Sequence, residues 1–236
     1  MTTHFTSGVT NVTTDSTLGK LKAPAPHKYH QYFNDFDTYL ASDWTITTTE
    51  DGTGSASEAL ADGDGGVLLV TNAAGDNDHD FFQLVKEGFK YETGKQIGFN
   101  IRFKTSDATQ SDIVAGLQLT DTTPLDVTDG FFFLKSDGAA TMDFLIEKDN
   151  SATTNSSVAT VSDDTFLTAA FHYNPHGTST NAGAFEIFID DALVATETTL
   201  TNVTDDEDLT ISFGIQNGAA AAKTMTVDYI FAAVER

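Results

Sequence analysis

The chain has 236 residues, with 12 Lys and Arg against 35 Asp and Glu, for a net charge of −23. A surface this acidic repels nucleic-acid phosphates and anionic membranes, which argues against a role on either. The absence of cysteine removes disulfide scaffolds and Cys-based metal or nucleophile chemistry.

Hydrophobic residues make up 39% of the chain, enough for a core, and 18 of them are Phe. Large aromatics mixed with Thr and Val favour pleated surfaces over helices. The charge itself reads as solubility, or as life in a salty medium where screening over a few ångströms makes self-repulsion tolerable.

The first stretch, MTTHFTSGVTNVTTDSTLGKLK, is polar and has no sustained period. It shows neither a basic n-region nor an apolar h-region, so no secretory signal is visible and synthesis in a cytoplasm is expected. In APAPHKYHQYF, Pro24 and Pro26 enforce an extended path, and Tyr29, Tyr32, Phe33 and Phe36 follow closely. Residues 1–36 are expected to form an extended arm anchored by its aromatic end; a frayed first strand is the alternative. The N-x-S/T triplets at Asn11, Asn155 and Asn202 read as accidents of a Thr/Asn-rich surface.

From Trp44 onward the alternation is that of strands. In QIGFNIRFK, Ile97, Phe99, Ile101 and Phe103 face one way, and Gln96, Asn100, Arg102 and Lys104 the other. The pattern recurs with Met142, Phe144 and Ile146, with Phe185, Ile187 and Ile189, and with Met225, Val227, Tyr229 and Phe231. GVLLVTN, IVAGLQLT, GFFFLK, FLTAAFHY and DLTISFGI are more continuously apolar, as strands between two layers are. Turn signals such as DGDGG, SDG, DDA and QNGA separate them. Roughly a dozen strands without an amphipathic helix predict an all-β, two-sheet antiparallel jelly-roll sandwich over residues 37–236. No apolar run is long enough to span a bilayer.

The window DNDHDFFQLVKE has the carboxylate spacing of an EF-hand loop. Its sixth position, however, is Phe81 where such a loop needs Gly, and strands flank it instead of helices. Asp76, Asp78 and Asp80 are weak candidates for calcium on a sandwich loop; a hairpin connection whose Asp and Asn side chains serve the turn backbone is the simpler reading. Asp62 and Asp64 in DGDGG read first as a tight turn. His172 and His176 lack an identifiable third ligand, and His27 and His30 sit in the arm.

A glycosidase needs two carboxyls about 5–9.5 Å apart. The strand interiors offer Asp143 with Glu147 and Glu186 with Asp190, each pair about 13 Å apart by strand rise. Acids at i,i+2 occur only in loop-like segments, so an enzyme is not expected and neither is a cofactor.

The C-terminal third, AFEIFIDDALVATETT and then DLTISFGIQNGAAAAKTMTVDYIFAAVE, resembles the last strands of concanavalin- or LamG-like jelly rolls. There a hairpin turn of the kind at Ile187 to Asp191 precedes a strand like that at Val227 to Ile230. GVTNV, APHKYHQYFNDFD, ALADGDGGVLLVTNAAGDNDHDFFQ and GLQLTDTTP look like virion structural proteins of tailed phages, especially marine ones. That resemblance implies a non-enzymatic decoration or cement protein on a capsid exterior. It would grip the major capsid protein, or other copies of itself as a dimer or trimer, through Pro24, Pro26, Tyr29, Tyr32 and Phe33. Such an interface needs on the order of 1,600 Å². The alternative is a lectin-like module on a tail or head fibre, using Trp44, Tyr91, Tyr173 and the Asp76–Asp80 loop to grip host glycans.

Overall fold

The computed structural model describes residues 27–63, 65–176 and 183–236. Fifteen strands run through them, joined by turns and two short 3-10 segments. The first five are β1 (Tyr29–Asn34), β2 (Trp44–Thr49), β3 (Ser57–Ala61), β4 (Val67–Thr71) and β5 (His79–Leu84). The middle of the chain forms β6 (Ile97–Thr105), β7 (Ser111–Gln118), β8 (Gly130–Lys135), β9 (Thr141–Lys148) and β10 (Ser151–Thr160). The last are β11 (Leu167–Asn174), β12 (Ala184–Ile189), β13 (Ala192–Glu197), β14 (Thr210–Asn217) and β15 (Thr224–Glu235).

They make two antiparallel sheets. One has seven strands in the order β10-β9-β8-β7-β14-β5-β2. The other runs β13-β12-β11-β6-β15-β4-β3, and β1 lies beside β15 as its eighth strand. The inward residues of both sheets form one core in which Phe82, Phe99, Phe103, Phe131, Phe133, Phe144, Phe171 and Phe185 are fully buried. Trp44 belongs to it, its ring edge-on to Phe82 and Phe213. Ring pairs of this kind add to the burial of area and fix how the sheets pack. The expected inward sets on β6 and β9 are the buried ones.

On β15 the register shifts between Val227 and Tyr229. One extra residue, Asp228, reverses the facing of everything after it, because side chains alternate with a period of two. Ile230, Ala232 and Val234 therefore point into the core, whereas Tyr229 and Phe231, expected inside, lie on the outer face.

The sheet begins at Tyr29 rather than at residue 37. Tyr29, Tyr32 and Phe33, assigned above to a partner-binding arm, lie in β1, which pairs with β15 so that Phe33 stands opposite Phe231. Tyr32 meets Trp44 edge-on and packs on the core. Pro24 and Pro26 lie outside the described residues.

Candidate functional site

The two outer faces differ. On the seven-stranded sheet, Phe81, Val114 and Phe132 form a second buried apolar cluster with Val127, and Leu119 and Leu125 pack against it. The last three of these residues belong to the connection 119–129 between β7 and β8, which therefore roofs this face. Gln83 donates to the Leu119 carbonyl (3.2 Å) and accepts from Asp121 N–H (3.0 Å), while Gln118 donates to the Pro124 carbonyl (3.0 Å). The connection covers the middle of this face, whereas the outer face of the eight-stranded sheet carries no such apolar roof among the described residues.

Strand pairing sets out that face row by row. Phe33, Phe231, Asn100, Ala170 and Phe188 stand side by side on β1, β15, β6, β11 and β12. The next row is Gln31, Ala233, Gly98, His172 and Glu186. Phe33 is 61% exposed, and its ring lies 6.5 Å from that of Tyr229. Ala170 in the first row and Ala233 in the second make a low step beside these aromatics, while Gly98 lies beneath the His172 ring.

With no side chain at Gly98, the His172 imidazole leans across β6, its Nε2 3.3 Å from Gln96 Oε1. Its Nδ1 lies 3.4 Å from Glu186 Oε2, and Asn174 Nδ2 donates to Glu186 Oε1 at 3.2 Å. Tyr29 donates its hydroxyl to Gln96 Oε1 at 3.5 Å. Burial, with Glu235 nearby, raises the Tyr29 pKa, which keeps the phenol protonated as a donor. An imidazole held between a carboxylate and an amide has its orientation fixed and can accept or pass a proton.

Four residues along β6 from Asn100, at Lys104, the face deepens into a cavity of about 620 Å³. Arg102 pairs there with Asp228, the extra residue of the bulge, and lies 4.2 Å above the Phe166 ring. Lys104 Nζ stands 5.4 Å from the same ring.

The acidic loop has another use. Asp78 is fully buried and accepts from the backbone amides of Asp51 (2.7 Å), Gly52 (3.1 Å) and Gly75 (2.6 Å). Burial opposes its charge, but these three bonds hold its pKa below the usual carboxylate range. The loops close this tightly because Gly52 and Gly75 touch: a Cβ at Gly52 would fall 1.9 Å from Gly75 N. Asp80 is also buried, and its Oδ1 accepts from Thr48 Oγ1 at 2.5 Å. Asp76 is exposed. The three calcium candidates are thus not brought together around one point, and among the described residues no group of three or more His, Asp or Glu could hold a metal ion.

The aromatic platform expected for a lectin-like site is elsewhere too. Trp44, Tyr91 and Tyr173 are buried at 5%, 5% and 2% exposure. Of the strand-face acid pairs, Glu186 orients His172, whereas Asp190 accepts from Thr168 N–H at a turn (2.9 Å). Sequence reading missed the His172, Glu186, Gln96 and Tyr29 group, since its members come from four strands or strand ends far apart in the chain. The alternation of β6 was the one signal, and it placed only Gln96 on an outward position; FLTAAFHY, read as continuously apolar, hid the outward facing of His172.

No protein-family model matches the chain, and no curated protein matches it in sequence. Solved structures match it in fold. An endo-1,3-β-glucanase from Streptomyces sioyaensis aligns with a TM-score of 0.59 at 16% identity, over 90% of this chain and 99% of its own. An endo-β-1,4-glucuronan lyase from Trichoderma reesei aligns at 0.54 and 16% identity, over 86% and 94%. The carbohydrate recognition domain of Emp46p, in a potassium-bound form, aligns at 0.56 and 13% identity, over 85% and 94%. At such identities the likeness is one of fold: the chain is an all-β, concanavalin-like jelly roll.

These structures correct the expectation that the protein is not an enzyme. A glucanase and a lyase are built on the same sandwich as a carbohydrate recognition domain. The expectation considered acids within single strands and bears only on hydrolysis by two acids; across elements, Asp126 and Asp129 lie close enough to Glu147 to raise its pKa beyond the effect of burial.

Proposed function

We propose that the protein binds a carbohydrate chain along the outer face of the eight-stranded sheet. The observation that carries this reading is the low step at Ala170 and Ala233, beside the His172 ring that lies over Gly98. The step is flanked by Phe33, Tyr229 and Phe231 on one side and by the His172, Glu186, Gln96 and Tyr29 network on the other. Sugars offer apolar C–H faces that rest on rings, and hydroxyls that need fixed donors and acceptors; sites for such ligands combine the two. Carbohydrate-directed proteins of this fold support the reading. Titration of linear polysaccharides into the protein and into an F33A/Y229A variant tests it. Loss of about tenfold or more in affinity is expected, a change of about 1.4 kcal/mol. Undiminished binding by the variant contradicts it.

A second reading adds chemistry to binding. His172, oriented by Glu186 beside the step, is placed to move a proton to or from a bound chain. Incubation with polyglucuronate and with β-glucans, followed by chain-length analysis, tests it: shortening that disappears in H172A supports the reading, and intact chains with the wild-type protein sink it.

Placement of this module on a virion is a proposal that rests on the sequence resemblance alone. Deleting residues 1–26 and measuring retention on purified particles decides it, with loss of retention as the expected result.

A further inference from the structure

The cavity beside Phe166 is unused by the network around His172. It lies on the same face, since Arg102 and Lys104 are outward residues of the strand that carries Gly98. From Gly98 to Lys104 is six residues, about 20 Å along the strand. Two rows lie between them: that of Asn100, and that of Arg102 with Tyr229 and Thr168 beside the bulge at Asp228.

Its charges are matched against one another. Arg102 and Lys104 face Asp62, Asp164 and Asp228 around the cavity, and Arg102 is already bridged to Asp228. Two cations among three carboxylates leave no surplus positive charge to attract an acidic group. An ammonium or extra cation would meet Arg102 and Lys104 at close range. What the arrangement does offer is donors and acceptors together around a phenyl ring, the Arg102–Asp228 pair held in place and Thr224 and Thr226 on the wall. Among the described residues Lys104 makes no salt bridge, so its ammonium keeps donor capacity. That is the chemistry of an uncharged polyol, whose hydroxyls both give and take hydrogen bonds.

We infer that this cavity is a second sugar subsite, which makes the ligand a linear, uncharged chain long enough to reach from His172 to Phe166. The inference rests on the carbohydrate reading above. A ligand of one or two sugars occupies one end only, and a longer chain gains the other end without new ordering of the protein.

Titration of the full chain with neutral linear β-1,3- and β-1,4-glucan oligosaccharides, from disaccharide to hexasaccharide, tests this. The hexasaccharide is expected to bind at least about tenfold more tightly than the disaccharide. F166A and K104Q are each expected to remove that gain and leave disaccharide affinity unchanged. The exposed amine of Lys104 is replaced without removing packing, so K104Q keeps the test decisive where F166A fails to fold. A length gain that survives in K104Q overturns the subsite, and tighter binding of polyglucuronate than of neutral chains overturns the uncharged ligand. No binding of any oligosaccharide by the wild-type protein overturns the carbohydrate reading itself.

Discussion

His172 and Glu186 stand directly opposite each other on β11 and β12, with Nδ1 3.4 Å from Oε2. The pair is partly open to solvent, so its strength as an ion pair is small, below about 1 kcal/mol. Its consequence is orientation: it turns the ring so that Nε2 reaches over Gly98 to Gln96. E186Q is therefore expected to leave the melting temperature nearly unchanged and to weaken carbohydrate binding by about as much as H172A. A double-mutant cycle checks this, with E186Q adding little in the H172A background. Additive losses contradict a shared role.

Asp80 predicts a pH dependence of stability. Burial, reinforced by Glu58 and Glu50, raises its carboxyl to about 7 against an ordinary 3.8, even though Thr48 donates to it. The folded state holds this proton where the unfolded chain releases it. The stabilisation is complete below about pH 4 and is lost as pH rises through 7. D80N keeps the size and stays neutral, so it is expected to match the wild type in acid and exceed it at pH 8, by at most about 4 kcal/mol for three pKa units. Denaturant midpoints at pH 4, 6 and 8 measure it, and parallel profiles for the two proteins would falsify the assignment.

Asp78 and Asp76, two residues apart, should behave oppositely on truncation. D78A removes the buried carboxylate that three backbone amides share and is expected to lower the melting temperature, because hydrogen bonds to a charged group are among the stronger ones and their donors are left unmet. D76A, on an exposed side chain, is expected to be near neutral. Differential scanning calorimetry compares them. A calcium-dependent rise in melting temperature that both variants lose contradicts this use of the loop.

A net charge of −23 makes self-repulsion a standing term in the folded state. Raising sodium chloride from 10 mM to 1 M shortens the screening length about tenfold and is expected to raise the melting temperature. A flat or falling response shows that the acids are locally compensated.

Much of the sandwich was legible because inward Phe and Ile on β6, β9 and β12 alternate cleanly. β3, β10 and β13 were not, since SEALA, SATTNSSVAT and ALVATE are sheet-edge strands with little buried surface. β15 misled for one local reason: the bulge at Asp228 reverses an alternation that Met225 and Val227 begin correctly, and with it the facing of two site aromatics. The extra oxygens of DNDHD looked like ligands, and Asp78 instead meets backbone amides brought from residues 51–52, a pairing no spacing rule contains. His172 was visible only as a lone histidine at a strand end, because its partners come from β12 and from the approach to β6.

The most direct test of the carbohydrate-binding face is amide NMR of the isotope-labelled protein titrated with a neutral β-glucan hexasaccharide. The predicted result is saturable shifts confined to the outer face of the eight-stranded sheet, centred on Phe33, His172 and Tyr229 and reaching Lys104 and Phe166. Shifts confined instead to the connection 119–129 and its neighbours, or none at all, contradict it.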